Sequence, residues 1–263
     1  MKQLLFALSL SALLPSVTTA TLVPIVELSF PASFDATGNA TVVDQSTAGN
    51  DFTTFNANAG YNASLAPSGM PGGSYGGGPG HGIIPTIDLL NNTDVAANGG
   101  FTMDTWFLWP GAFSDSRKLI DYAGTELLRT NGSKVEFRIS NGSFVLDADI
   151  VQDTWYHVIG EFITDGGTST VGGMDAITGT MNLWLDSGSG LILADTSAGA
   201  KSTFGDSLDR GIGINRHPTA SEFNQGYLYN PAVYLGVSTV PEPGTMTLVA
   251  LGSIALLLRR RTA

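Results

Sequence analysis

The side chains able to do chemistry in this 263-residue chain are few, and their spacing decides what they can be. Cleaving a glycosidic bond with retention takes two carboxylates about 5–5.5 Å apart. The six glutamates stand at positions 27, 126, 136, 161, 222 and 242. No two lie within five residues, so no short strand segment brings two of them to one face. Asp147-Ala148-Asp149 has the alternation that sends two carboxylates to the same side, but it has no partner glutamate and reads as a solvated strand face. Gly72-Gly73-Ser74-Tyr75-Gly76 matches a nucleophile elbow in letters only. That elbow needs a strand before the serine and a helix after it, whereas residues 68–82 read as a Gly-rich loop over one end of the fold. His157 shares strand parity with Trp155, as a half-buried, hydrogen-bonded histidine would. His81 and His217 fall in separate loops, so the three histidines make no metal site. The chain is therefore expected to be non-catalytic.

Calcium is the ion the sequence accommodates. The run Asp44-Gln45-Ser46-Thr47-Ala48-Gly49-Asn50-Asp51 offers Asp44, Asn50 and Asp51 as hard oxygen ligands, although the same residues also suit an ordinary polar turn. Trp106, Trp109, Trp155 and Trp184, with several tyrosines, could stack on sugar rings, and the pattern alone does not separate exposed aromatics from core ones. Other classes are excluded by composition. Zero cysteine removes disulfide scaffolds, cysteine-ligated metals and thiol chemistry. Twelve basic residues, only four of them lysine, against 23 acidic ones give −11 and no basic stripe for phosphates, so nucleic acid is not a partner. Charged residues make up 13% of the chain, against roughly 25% in an ordinary soluble domain. Its surface must be built from Thr, Ser, Asn and Gly.

Short β-rich runs separated by turn residues are the elements that must position these groups. No stretch of 12 residues between Thr21 and Val240 has helical periodicity. Phe101 to Trp109 places Phe101, Met103, Phe107 and Trp109 on one face and Trp106 and Leu108 on the other, as in a strand buried on both sides. Asn131-Gly132 and Asn141-Gly142 punctuate Glu126–Thr130, Lys134–Ser140 and Ser143–Asp149, and Asn-Gly suits a type I′ turn, so three antiparallel strands are expected. Val135, Phe137 and Ile139 alternate there with Lys134, Glu136 and Arg138, giving one buried and one wet face. Further strands are expected at Ile25–Phe30, Asp51–Phe55, Trp155–Ile163, Thr180–Asp186, Gly190–Thr196, Gly211–Asn215 and Gly226–Gly236. About a dozen short strands in one uninterrupted region, 21–239, mean an all-β sandwich or barrel.

The two ends have a different character. Met1-Lys2-Gln3, the apolar run Leu4 to Leu14 and the small residues Thr18 and Ala20 fit a secretory signal peptide over residues 1–20, cleaved after Ala20. Its partners would be the secretion translocon and signal peptidase. Residues 240–263 hold Pro241-Glu242-Pro243, an apolar stretch from Met246 to Leu258, and Arg259-Arg260-Arg261. Thirteen apolar residues span about 20 Å as a helix, short of the ~30 Å hydrocarbon core, so this is a marginal transmembrane helix. The arginines hold its far end in the cytoplasm. Without residues 1–20 and 244–263 the chain keeps 8 basic and 23 acidic residues, or −15.

The order of Pro-Glu-Pro, short apolar helix and terminal basic cluster resembles the PEP-CTERM sorting signal of Gram-negative bacteria. That resemblance implies processing by an exosortase-type sorting protease, passage through the inner membrane, and a final place in the cell envelope or extracellular matrix in an exopolysaccharide and biofilm context. The body of the chain resembles laminin-G-like domains. Asp153-Thr154-Trp155-Tyr156-His157-Val158 is similar to their W-x-H-V strand, Met181 to Asp186 to the next, Arg210 to Asn215 to a hydrophobic-Gly strand, and Gly226 to Tyr234 to the closing strand. The implied fold is a concanavalin A-like lectin/glucanase jelly roll. Two departures bear on function: the closing acidic pair is replaced by Tyr229 and Asn230, and the Glu-x-Asp-x-Glu pattern of the glucanases is absent. The resemblance thus implies a non-catalytic module binding an extracellular glycan or matrix protein. A glycan-active hydrolase on the same fold and a purely structural surface protein are the alternatives.

Overall fold

A computed structural model describes residues 22–28, 44–46, 54–55, 60–62, 64–76, 82–84, 91–110, 117–122, 126–140, 143–204, 212–214 and 226–237. In chain order the strands are Val23–Glu27 (β1), Thr54–Phe55 (β2), Gly60–Asn62 (β3), Ser74–Gly76 (β4), Gly82–Ile84 (β5), Gly100–Leu108 (β6), Arg117–Tyr122 (β7) and Glu126–Asn131 (β8). They continue as Lys134–Ile139 (β9), Phe144–Asp149 (β10), Trp155–Val171 (β11), Met174–Asp186 (β12), Ile192–Ser202 (β13), Ile212–Ile214 (β14) and Tyr227–Leu235 (β15). A six-residue helix, Asn92–Ala97 (α1), precedes β6; the Asn91 side chain caps it by accepting from the Asp94 N–H.

Every pairing among the described strands is antiparallel. The first sheet runs β13-β12-β11-β6-β15-β4-β3, with β1 also on β15, and the second runs β10-β9-β8-β7-β14-β5-β2. The expected all-β sandwich is what forms. Its core lies between the sheets. Phe101, Met103 and Phe107 of β6, Val158 and Phe162 of β11, and Met181 and Leu183 of β12 face Ile120, Leu128, Val135, Phe137 and Leu146. Phe101 is the hub, with ring centroids 5.9 Å from Phe137 and 4.9 Å from Phe204.

Two local departures from expectation have plain causes. Asn131 pairs with Lys134, so the two-residue loop is Gly132–Ser133 and only Gly132, at φ +58, is left-handed. That is the glycine-first pattern of a type II′ turn rather than the expected type I′. The strand expected to end at Ile163 continues to Val171, because Asp165-Gly166-Gly167 forms a bulge and not a turn. Asp165 Oδ1 accepts from Gly167 N at 2.8 Å and Thr178 Oγ1 at 2.6 Å, which holds its carboxyl below the usual aspartate range. The reversal comes later, at Gly172-Gly173, where Val171 pairs with Met174 and both glycines take positive φ.

Candidate functional site

Alternation along β6 and β11 gives the first sheet a second, outward face. While Phe101, Met103 and Phe107 enter the core, Asp104 and Trp106 point the other way, and on β11 the outward set includes Trp155, His157, Ile159 and Glu161. The register aligns Tyr229, Trp106, His157 and Asp186 in one row across four strands. Trp106 and His157 stack nearly parallel, with centroids 4.8 Å apart and an interplanar angle of 4°. His157 Nε2 lies 2.7 Å from Asp104 Oδ1, and both side chains are partly exposed, at 19% and 28%. The histidine is thus hydrogen-bonded and half-buried, as its parity indicated.

The tryptophans divide into two kinds. Trp184 is buried and donates its indole N–H to Glu161 Oε2 at 2.7 Å, and Trp109 is buried as well. Trp106 and Trp155 are the partly exposed pair. Tyr229 is buried, and its hydroxyl donates to the Pro71 carbonyl at 2.7 Å.

Beside this row a cleft of about 170 Å³ opens between the end of β1 and the bulge of β15, lined by Glu27, Leu28, Gln45, Asn230, Ala232 and Tyr234. Asn230 is left-handed (φ +47), at the register shift between Tyr229 and Ala232. The Tyr234 hydroxyl donates to Glu27 Oε1 at 3.0 Å. Burial, the bond to Glu27 and the charges of Glu27 and Asp104 push its pKa far up, so it stays a protonated donor. Ala232 pairs with both Glu27 and Asp104, which places the two carboxylates on one row with a single strand between them.

Asp44 does not line this cleft but braces two of its lining residues, bonding the Glu27 main chain and preceding Gln45. Its Oδ1 accepts from Glu27 N at 2.8 Å and from Ser46 N at 2.9 Å, its Oδ2 accepts from Ser46 Oγ, and it is buried. The other two calcium candidates, Asn50 and Asp51, lie outside the described residues, as do Ala20, Pro241, Glu242, Pro243, Arg259, Arg260 and Arg261. Among the described residues no three His, Cys, Asp or Glu side chains are placed to hold a metal ion. Among them, too, no helix is long and apolar enough to cross a membrane; the run 246–258 lies outside them.

Ser74 does not sit on an elbow. The expected loop becomes strand β4 at this residue, and Ser74 is buried between β3 and β15. Three strand spacings, about 14 Å, separate β4 from β11, and His157 is committed to Asp104. Asp147 lies on the outer face of the second sheet, ion-paired with Lys134 at 2.7 Å. Sequence reasoning did not single out Glu27, Asp104 or Tyr234 as site residues, and met Asn230 only as a departure in the closing strand. Asp104 shares parity with Trp106 and could have been noticed; Glu27 and Tyr234 are 207 residues apart and carry no local signal.

An antiparallel two-sheet sandwich with an aromatic and acidic outer face is the class of protein that these observations define. The same fold is found in domain 4 of AbnA, a GH43 extracellular arabinanase from Geobacillus stearothermophilus, solved in complex with arabinotriose. The likeness has a TM-score of 0.52 at 10% identity and covers 86% of this chain and 97% of that one. The receptor-binding domain of botulinum neurotoxin type G matches at TM-score 0.48 and 9% identity over 83% of this chain. A Trypanosoma rangeli sialidase matches at 0.47 and 14% over 81% of this chain and 30% of its own. The chain spans about half the length of the botulinum domain, 49%. No curated protein matches the chain. At the C-terminus the PEP-CTERM protein-sorting motif matches residues 239–261, which marks an exported protein carrying an exosortase sorting signal.

Proposed function

We propose that residues 21–239 form a laminin-G-like, concanavalin A-like module that binds an extracellular glycan without cleaving it. In this reading the chain leaves through the secretion translocon and is cut by signal peptidase after Ala20. Residues 246–258 hold it at the inner membrane until an exosortase-type protease delivers it to the cell envelope or extracellular matrix, in an exopolysaccharide or biofilm setting. The observation that carries the reading is the stacked Trp106–His157 pair beside a polar cleft on the outer face of the first sheet. An aromatic ring offers a flat apolar face to a pyranose, and Tyr234, Asn230 and Gln45 offer donors and acceptors to its hydroxyls. A sandwich of the same fold, domain 4 of the arabinanase, was solved with a trisaccharide, which supports a sugar as the ligand.

The test is an array of bacterial exopolysaccharides probed with the full chain and with Trp106→Ala. Saturable binding, weakened about tenfold by loss of the stacking ring, is expected. Bond cleavage would instead make the protein a hydrolase. Neither binding nor cleavage would make it a structural or matrix-protein-binding component.

A further inference from the structure

Charge is not spread evenly over the sandwich. Of the six described lysines and arginines, Arg117, Lys118, Arg129, Lys134 and Arg138 lie on β7, β8 and β9 of the second sheet, where five acids accompany them. Strands of the first sheet carry seven described acids and a single lysine, Lys201 on the edge strand β13. The face with the cleft and the stacked aromatics therefore has no described lysine or arginine on β1, β6, β11, β12 or β15, and its one imidazole there, His157, is committed to Asp104. Two carboxylates sit where a ligand would lie. Glu27 has Oε1 bonded to Tyr234 and Asp104 has Oδ1 on His157; among the described residues the second oxygens, Glu27 Oε2 and Asp104 Oδ2, have no partner. They stand two strand spacings apart, about 10 Å between Cα atoms, with the small side chain of Ala232 between them.

Resting on the glycan-binding reading, we infer that this face selects amine-bearing sugars, a glycan with free glucosamine-type ammonium groups. An ammonium donates charge-assisted hydrogen bonds to Glu27 Oε2 and Asp104 Oδ2 and is attracted to the faces of Trp106 and Tyr234. A neutral N-acetylated sugar can stack but gains no charge-assisted bond. A uronate brings its carboxylate against two others with no lysine or arginine to receive it and with His157 already held by Asp104, which is how like charge rejects a wrong partner. The cleft, below the ~300–1,000 Å³ of drug-sized pockets, has room for one sugar unit while the chain of sugars runs over the Trp106 row.

The experiment measures calorimetric binding of the full chain to three oligosaccharides of equal length at pH 6 and low salt: glucosamine, N-acetylglucosamine and mannuronate hexamers. The free-amine hexamer is expected to bind about tenfold more tightly than its acetylated counterpart, the difference a charge-assisted hydrogen bond makes, and the uronate not to bind. Glu27→Gln, which keeps an acceptor for Tyr234, should erase the preference without weakening the acetylated ligand; Asp104→Asn serves if that variant does not fold. Diffuse attraction to the net negative charge would survive either change, and a preference that survives both overturns the inference. Acetylated or uronate hexamer binding as tightly as the amine also overturns it, while leaving the glycan-binding reading intact. Failure of the amine hexamer to bind overturns it too, and the exopolysaccharide array then decides the broader reading separately.

Discussion

Gly160 on β11 lies directly against Phe137 of the facing sheet, and replacing it by alanine tests the inter-sheet packing directly. It pairs with Met103 and Leu183 and faces the core. A Cβ added there would lie 2.4 Å from Phe137 Cδ2, 2.7 Å from Cγ and 2.8 Å from Cε2. Carbon contacts relax at about 3.5–4.0 Å, so the ring would have to retreat by roughly 1 Å. Phe137 is fully buried and packs against Phe101, so the ring cannot swing out into solvent. Overpacking of this kind costs about 1–3 kcal/mol, only partly offset by the ~0.4–1 kcal/mol that Gly→Ala gains from a stiffer unfolded chain. A net loss of about 1–2 kcal/mol lowers the melting temperature by roughly 2–8 °C at this size. Scanning calorimetry and urea unfolding of the full chain measure it. An unchanged or raised melting temperature would refute the packing argument. The double variant Gly160→Ala/Phe137→Leu should lose less than the two single losses added together; strict additivity would show that Phe137 is not the obstacle.

Asp44→Ala removes the acceptor for the Glu27 and Ser46 N–H groups and should cost about 1–3 kcal/mol, to the same extent with calcium or with a chelator. A loss seen only in calcium would make Asp44 an ion ligand instead of a hydrogen-bonded brace for Glu27. Changing Pro241, Glu242 and Pro243 together to alanine should leave an unprocessed membrane form in fractionated cells. Normal processing and location of that variant would remove the sorting assignment.

Where a residue's neighbours in the chain set its environment, the sequence was readable. The three strands from Glu126 to Asp149, the core-facing Phe101, Met103 and Phe107 and the half-buried His157 follow from period-two alternation, whereas the burial expected on both sides of β6 fails on the outward side, where Asp104 and Trp106 stay partly exposed. Turn chemistry was readable in kind but not in register: one residue of shift moved the Asn131-Gly132 turn to Gly132–Ser133. The run Thr164-Asp165-Gly166-Gly167 has turn composition, yet it becomes a bulge because Thr178 on the facing strand completes the hydrogen bonds of Asp165. The cleft was unreadable for a stronger reason. Its carboxylates come from strands β1 and β6, which reach one row only through β15, and no local pattern announces a partner brought from the far end of the chain.

That same dependence on the far ends shapes what the site can do. The first and last described strands pair, Val23 with Leu235 through Glu27 with Ala232, so in a chain without cysteine this seam is held by main-chain hydrogen bonds and by packing of Ile25, Val26 and Val233 in the core. Glu27 and Asn230 lie on opposite sides of the seam, and the cleft exists only while it is closed. A ligand bridging Glu27 and Asp104 would bind the closed form and not the opened one, and would therefore stabilise the domain by RT ln(1 + [L]/Kd). On the glycan-binding proposal, a bound glycan would then act as the fastener of a seam that no cysteine locks, so ligand binding and the pairing of the first and last described strands would stabilise each other.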